Sequence, residues 1–523
     1  MKRTLLLALA AVLAFPLASC ASGTGEALDD ELTAVPAGKA DDYYSTVAAE
    51  FEVSGSVRVT LDPERAADEA YRTEKIGKRL TGVALFLTAY VTNKLERFFT
   101  NMEYGGFSAM ARNHTVAPGD MTETSPGVLD VRFTIDLAGP KDILSKLPRV
   151  EGGDPAIFAF ELAMPAGYES DPSWIDRTQI RNFDPAKYTG EIEKVLCTIA
   201  PEETPANAWP EYAAMMADGV FDVTLFFGHD YNDPRSDLAE ARDAFEQLTG
   251  WRGFAAPVDS YDRLVAASGP LTKTLRANGK DVRVEIRIFH SDMFKEDRRL
   301  GHDTALAEVA ARDVFFYNGH AGPFYGFYLS DDKPNDVKYT ELATYAMPEK
   351  QQIVVAQGCQ TYSQYADAFY ANPAKSEDNL DVITTVNFSY GLGTMGIVAN
   401  LLATDGDGNH RPETFHAIVS DLNEDYWNSM KEVFYGVHGI DGNPKVHPYA
   451  ATDRIGTPCK AAADCGDRTG NVCVKAPGGD GKVCGAVALD KAACPEGSAI
   501  HALASGSSVV RHACLPTAAV PNP

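Results

Sequence analysis

The chain has few basic residues for its acids. Lysine and arginine total 47 against 73 aspartates and glutamates, a formal net charge of −26. A phosphate backbone is bound by a basic surface, so nucleic acid is excluded as a partner. Beyond the N-terminus no stretch offers the ~18 uninterrupted apolar residues of a membrane-spanning helix. Cysteine is nearly absent from the large middle of the chain, where only Cys197 and Cys359 occur. No C-x-x-C pair is present, which weakens any reading of the cysteines as zinc ligands. Between residues 46 and 210 no catalytic constellation is visible, and that region reads as structural or prodomain-like.

What is present begins at the first residues. Lys2 and Arg3 precede an apolar run, Leu5 to Leu17, and then the small residues Ala18 and Ser19 before Cys20. A charged start, an apolar centre and small residues at the cleavage point make a signal peptide over 1–19. Leu17-Ala18-Ser19-Cys20 resembles the lipobox of bacterial lipoproteins, which implies an acylated Cys20 as the mature N-terminus. The chain is then exported and lipid-anchored at the cell envelope, on the outer membrane or cell surface. Residues 20–45 are polar and lack periodicity, as a flexible tether would be. An ordinary secretory signal ending near a cysteine is the alternative.

Six of the nine cysteines fall in the last 65 residues: Cys459, Cys465, Cys473, Cys484, Cys494 and Cys514. An even set in a short, glycine-rich exported segment predicts three disulfides within a small domain at 456–523, with the pairing left open. A zinc site is the weaker alternative.

Residues 46–212 read as an α+β domain. Phe51, Val53, Val57, Val59 and Leu61 alternate with polar residues, as do Leu129, Val131, Phe133, Ile135 and Leu137. That is the period of a half-buried strand. Ile157 to Leu162 is a further strand, and Val83 to Val91 fits either helix or strand. From Phe221 the pattern changes. An apolar run at 221–229, the alternating Val282, Val284, Ile286 and Ile288, and strands at 314–317, 353–356 and 382–386 are interleaved with helical spacing such as Leu238, Ala241, Ala244, Phe245 and Leu248. Ala305 to Ala311 is a helix with Asp303 or Thr304 as its cap. Strands alternating with helices predict a mainly parallel sheet covered on both faces over 213–455. Active residues then gather beyond the carboxyl ends of the strands.

Two of those ends carry chemistry. The run Val314–Tyr317 leads into Asn318-Gly319-His320-Ala321-Gly322, and Ile353–Ala356 leads into Gln357-Gly358-Cys359. Adjacent strands lie ~4.8 Å apart, so the imidazole and the thiol fall within one site if these strands are neighbours. A thiolate nucleophile, an imidazole to handle protons and backbone N–H donors for the developing oxyanion are the parts of a cysteine peptidase. The donors are sought at Ala321, Gly322, Gly358 and Cys359. A disulfide between Cys197 and Cys359 would remove the nucleophile.

Region 221–400 resembles the caspase–gingipain superfamily of cysteine peptidases. In that superfamily an apolar strand ends in His-Gly, and a later one ends in Ala-Cys or Gly-Cys. Here Cys359 follows His320 by 39 positions. The resemblance implies a three-layer α/β domain and peptide-bond hydrolysis by a His320–Cys359 dyad acting on a peptide or protein substrate, with no cofactor required. Two departures stand out. Ala321 occupies the place after the histidine, and Gln357 stands where relatives that cleave after basic residues often carry an acid. Asp230, at the end of the first strand, is the acid that would favour a basic residue before the scissile bond, so Asp230 and Gln357 are the candidate pocket residues. The alternative is a catalytically inert caspase-like surface lipoprotein acting as an interaction or structural protein.

Three further features are candidates. Asp405, Asp407 and Asn409, with Glu413, resemble the start of a calcium loop; His416 stands where the closing glutamate would be, and a solvated acidic turn is the alternative. His438, Asp441 and His447 read as a loop, with metal binding the less favoured reading. The aromatics between Pro323 and Tyr328 line a substrate groove or cover the sheet end.

Overall fold

The computed structural model describes residues 42–95, 107–116, 119–150, 156–170, 179–232, 234–321, 326–330, 336–389, 393–424, 433–467, 469–505 and 508–517. Cys20 and its lipobox lie outside the described residues, as does Gly322. No described helix is long and apolar enough to cross a membrane.

The described strands form three sheets. Strands β2 (Ala48–Thr60), β3 (Met110–Thr115), β4 (Met121–Ser125), β5 (Val128–Pro140), β6 (Phe158–Pro165) and β7 (Ile192–Pro201) build an antiparallel sheet in the order β3-β5-β2-β7-β6, with β4 paired to β5. The alternating positions of β2 and β5 face the core, as their period requires. The ambiguous run Val83–Val91 belongs to the helix Glu69–Leu95, which buries Leu80, Val83, Leu87 and Val91 against this sheet.

The central sheet has eight strands in the order β1-β14-β13-β12-β11-β8-β10-β9. These are β1 (Tyr43–Tyr44), β8 (Val220–Phe227), β9 (Leu271–Ala277), β10 (Lys280–His290), β11 (Val314–Asn318), β12 (Gln352–Gln357), β13 (Leu380–Thr385) and β14 (Tyr435–His438). Strands β10, β8, β11, β12 and β13 run parallel; β9, β14 and β1 extend the sheet by antiparallel pairing. Successive residues of β11 and β12 point to opposite cores. Val314, Phe316, Ile353 and Val355 pack with the helices Ser236–Thr249 and Phe415–Glu424, while Phe315, Tyr317, Val354 and Ala356 pack with Arg298–Ala311 and Tyr365–Tyr370. Burial on both faces is why these strands are unbroken apolar runs.

Two local expectations are corrected. The helix expected from Ala305 begins at Arg298, and its cap is Asp297, which accepts from the Leu300 N–H at 3.1 Å. His302, just after the first turn, is buried and bonded to Asp303 and Glu341. Tyr435 to His438, expected as a loop, is strand β14.

Strands β15 (Asn471–Lys475), β16 (Lys482–Ala488), β17 (Ser498–Ser505) and β18 (Ser508–Pro516) form a third sheet in the order β15-β16-β18-β17. Three disulfides staple this segment: Cys459–Cys473, Cys465–Cys484 and Cys494–Cys514. All six cysteines are thereby paired with one another, which leaves no thiolate among them for zinc. Neither Cys197 nor Cys359 is in a disulfide.

Candidate active site

Strand order decides what meets at the top of the central sheet. The chain winds outward from β8 to β10 on one side and through β11, β12 and β13 on the other. The reversal lies between β8 and β11, and crevices open beyond the carboxyl ends at such a point. Asp230 follows β8, His320 follows β11 and Cys359 follows β12. In the β11–β12 pairing Asn318 sits opposite Gln357, so His320 and Cys359 each lie two residues past a matched pair.

Glycines let these turns converge. A Cβ on Gly228 would stand 2.5 Å from the Tyr317 hydroxyl and from the Tyr328 carbonyl oxygen. One on Gly358 would stand 2.4 Å from the Ala321 Cβ and 3.3 Å from its backbone nitrogen. Gly358, sought as an oxyanion donor, thus has a packing reason to be glycine, and it brings the His320 and Cys359 turns into contact. The Gly319 N–H donates to the Gln357 carbonyl at 3.1 Å.

His320 is held from two directions. Its Nε2 lies 3.0 Å from Asp230 Oδ1. A carboxylate only accepts, so Nε2 carries the proton and Nδ1 is left with the lone pair. The Tyr231 ring stacks on the imidazole at 4.1 Å between centroids, 10° from parallel. Asp230 is buried, which raises its pKa. Hydrogen bonds from His320, from the Ser236 hydroxyl and from the Asn232 and Ser236 amides outweigh that effect and hold the carboxyl well below the usual range. Asp230 therefore remains an anion beside the imidazole. Asp230, expected as a pocket acid, is in direct contact with the histidine.

Cys359 is 5 % exposed, with Sγ 4.0 Å from the Ser389 carbonyl oxygen. The turn behind it is tied down. Gln360 adopts the left-handed conformation at φ 57°, which is costly for a residue with a Cβ. Its N–H donates to the Asn387 carbonyl at 3.0 Å. The Thr361 hydroxyl donates to the Ala356 carbonyl at 2.8 Å, and the Thr385 hydroxyl donates to the Gly358 carbonyl. Cys197 offers a contrast: it is wholly buried among apolar side chains in the N-terminal sheet, and burial pushes its thiol up to about 12.

Beneath the pair lies a polar layer. The Asn318 amide donates to Glu240 at 2.5 Å and to the Thr394 hydroxyl at 2.9 Å. Burial pushes the Glu240 carboxyl up to about 8, although the Asn318 bond opposes this. Gln357 is 1 % exposed, and among the described residues neither end of its amide has a hydrogen-bond partner. A buried amide with both ends unmet costs free energy, and a bound polar group would offset it.

The other candidates fall elsewhere. Asp405 Oδ1 accepts from the backbone N–H groups of Asp407 and Asn409 at 2.9 Å, closing a tight turn on itself, while Glu413 pairs with Arg411 at 2.5 Å. His438 is bonded to Arg112 and Thr384, whereas His447 Nδ1 accepts from the Tyr449 N–H, so these two histidines serve separate contacts. Of the aromatics after His320, Phe327 stacks on Tyr317 in the core and Pro323 to Tyr325 lie outside the described residues, whereas Tyr328 stays at the site, its ring edge-on to His320 at 6.1 Å and to Tyr231 at 6.0 Å. Tyr231, Asn318, Thr361 and Thr385 were not singled out in the sequence. Tyr231 adjoins Asp230 and Asn318 ends its strand, the only sequence signals they carry. No family model, no curated protein and no solved structure matches the chain.

Proposed function

We propose that the protein is a cysteine peptidase of caspase-like architecture, displayed as an exported lipoprotein, with Cys359 as nucleophile and His320 as the proton-transfer group. The observation that carries this reading is the placement of His320 and Cys359 beyond two paired parallel strands, with His320 fixed by the buried anion Asp230.

The chemistry follows from the tautomer. Nδ1 of His320 takes the proton from the Cys359 thiol, and the thiolate attacks the carbonyl carbon of the scissile peptide bond. The resulting imidazolium is stabilised by Asp230 and returns its proton to the leaving amine as the C–N bond breaks. Water, deprotonated by the same imidazole, then attacks the thioester and releases the acid product with the thiol restored. The Cys359 N–H and those of Ala321 and Gly322 are the candidate oxyanion donors. Because Asp230 is engaged with His320, the pocket for the residue before the scissile bond falls to Gln357, whose unmet amide suits a polar side chain.

The test is cleavage of a peptide library by the purified mature protein. Cys359→Ala should abolish cleavage, whereas Cys197→Ala should leave it unchanged. Retained cleavage in Cys359→Ala would dismiss the proposal.

A further inference from the structure

The antiparallel N-terminal sheet meets the turn that carries Cys359 through buried polar contacts. Tyr362, three residues beyond Cys359, is wholly buried, and its hydroxyl donates to Glu50 Oε1 on β2. Arg112, on β3, lies alongside. Its Nε is 3.6 Å from Glu50 Oε1, and its guanidinium carbon sits 5.2 Å from the Tyr362 ring centroid. The same arginine reaches the far edge of the central sheet, where Nη1 is 3.1 Å from His438 Nδ1. A guanidinium only donates, so Nδ1 accepts, and Nε2–H of His438 donates to the Thr384 hydroxyl at 3.0 Å. The next residue, Thr385, bonds the Gly358 carbonyl. The Cys359 turn is thus gripped from both sides by one cluster.

The cluster is dry as well as charged: Glu50 is 5 % exposed and Arg112 7 %. Taking such ions out of water is expensive unless their partners are fixed. Glu50 and Arg112 face each other within the N-terminal sheet, and their further partners Tyr362 and His438 come from the central domain, so the cluster is complete only while both stay in place. The backbone adds a second tie. Strand β1, just before β2, pairs with β14, and the Tyr43 ring packs edge-on to Tyr362 at 5.3 Å.

We infer that the N-terminal sheet is a built-in part of the site and not a detachable leader: Glu50 and Arg112 are positioning residues that hold the Cys359 turn through Tyr362. This rests on reading Cys359 as the nucleophile. The burden on the turn is the left-handed Gln360, a conformation kept only where surrounding contacts enforce it.

The test uses the full-length protein with Tyr362→Phe, Glu50→Ala and Glu50→Gln. Amide hydrogen exchange is followed across 358–364, together with the rate of Cys359 alkylation by iodoacetamide. Tyr362→Phe and Glu50→Ala should raise exchange in that turn by about tenfold or more and change the alkylation rate several-fold, with β8 and the disulfide-stapled sheet unaltered. Glu50→Gln still offers an oxygen to the Tyr362 hydroxyl, and it should keep exchange within about twofold of wild type. Unchanged exchange in the turn overturns the inference, and so does a uniform rise over all strands, which would mean a general structural loss. Absence of peptidase activity in the wild type would sink the proposed activity alone, because the exchange result does not depend on turnover.

Discussion

Asp230→Asn separates the parts of the site most sharply. The wild-type carboxylate accepts from His320 Nε2 at 3.0 Å, from Asn232 N at 2.9 Å and Nδ2 at 2.7 Å, and from Ser236 N at 3.0 Å and Oγ at 2.7 Å. Asparagine keeps one accepting oxygen. If that oxygen serves His320 and Asn232, the new NH2 group faces the Ser236 N–H, and two donors confront each other at the start of the helix Ser236–Thr249. The loss is one charge-assisted bond plus an unmet backbone donor, about 2–4 kcal/mol, with the anion at the helix start also gone. The pH dependence has a definite sign. The folded carboxyl titrates below its unfolded value of about 3.9. Its stabilisation is therefore present in full above that value and is lost as pH falls towards the folded one. Urea unfolding should thus find wild type and variant well apart at pH 7 and converging below about pH 4. Peptide hydrolysis should fall by roughly 10²–10⁴-fold in kcat, as loss of an oriented acid–base group does. Equal unfolding curves at pH 7, or kcat within about twofold of wild type, would refute the assignment of Asp230 to His320.

Other perturbations probe separate parts of the account. Gly358→Ala places a methyl 2.4 Å from the Ala321 Cβ; cleavage should drop by at least about tenfold, while circular dichroism stays near wild type, because the clash spreads the two turns and leaves the strands intact. Replacing Cys494 and Cys514 together by serine should cost the tail about 2–5 kcal/mol, seen as protease sensitivity confined to residues after about 456, with the central sheet still protected. Mass spectrometry of the membrane fraction should find a mature chain that begins with acylated Cys20, and a chain beginning elsewhere would remove the anchor.

Strands β11 and β12 were legible because both are buried on both faces and appear as apolar runs, whereas β10 was legible from its alternation of Val282, Val284, Ile286 and Ile288 with charged residues. The ends of β11 and β12 were legible because the runs stop at Asn318 and Gln357, which puts His320 and Cys359 just outside. The neighbouring parallel course of β11 and β12, a condition of the site, appears in the pairing of Asn318 with Gln357. The role of Asp230 was not legible. It depends on β8 lying beside β11, a matter of strand order that periodicity does not encode. Strands β1 and β14 were missed because two to four residues are too short to show a period, and Gly436 interrupts β14. The hairpin of β9 and β10 did leave a signal, Asn278-Gly279, whose positive φ angles of 47° and 74° suit a tight hairpin turn. The Glu50–Arg112–Tyr362 cluster joins residues more than 300 positions apart, and nothing in the local sequence around any one of them announces the others.

The most direct measurement is labelling of the native mature protein with a peptide-based thiol-reactive probe, followed by mapping of the modified residue. The account predicts modification at Cys359 that is lost in His320→Ala, with Cys197 left untouched because burial holds its thiol at about 12. A Cys359 that reacts no faster than Cys197, in a protein that otherwise unfolds normally, would contradict the peptidase reading and leave the domain an inert interaction module.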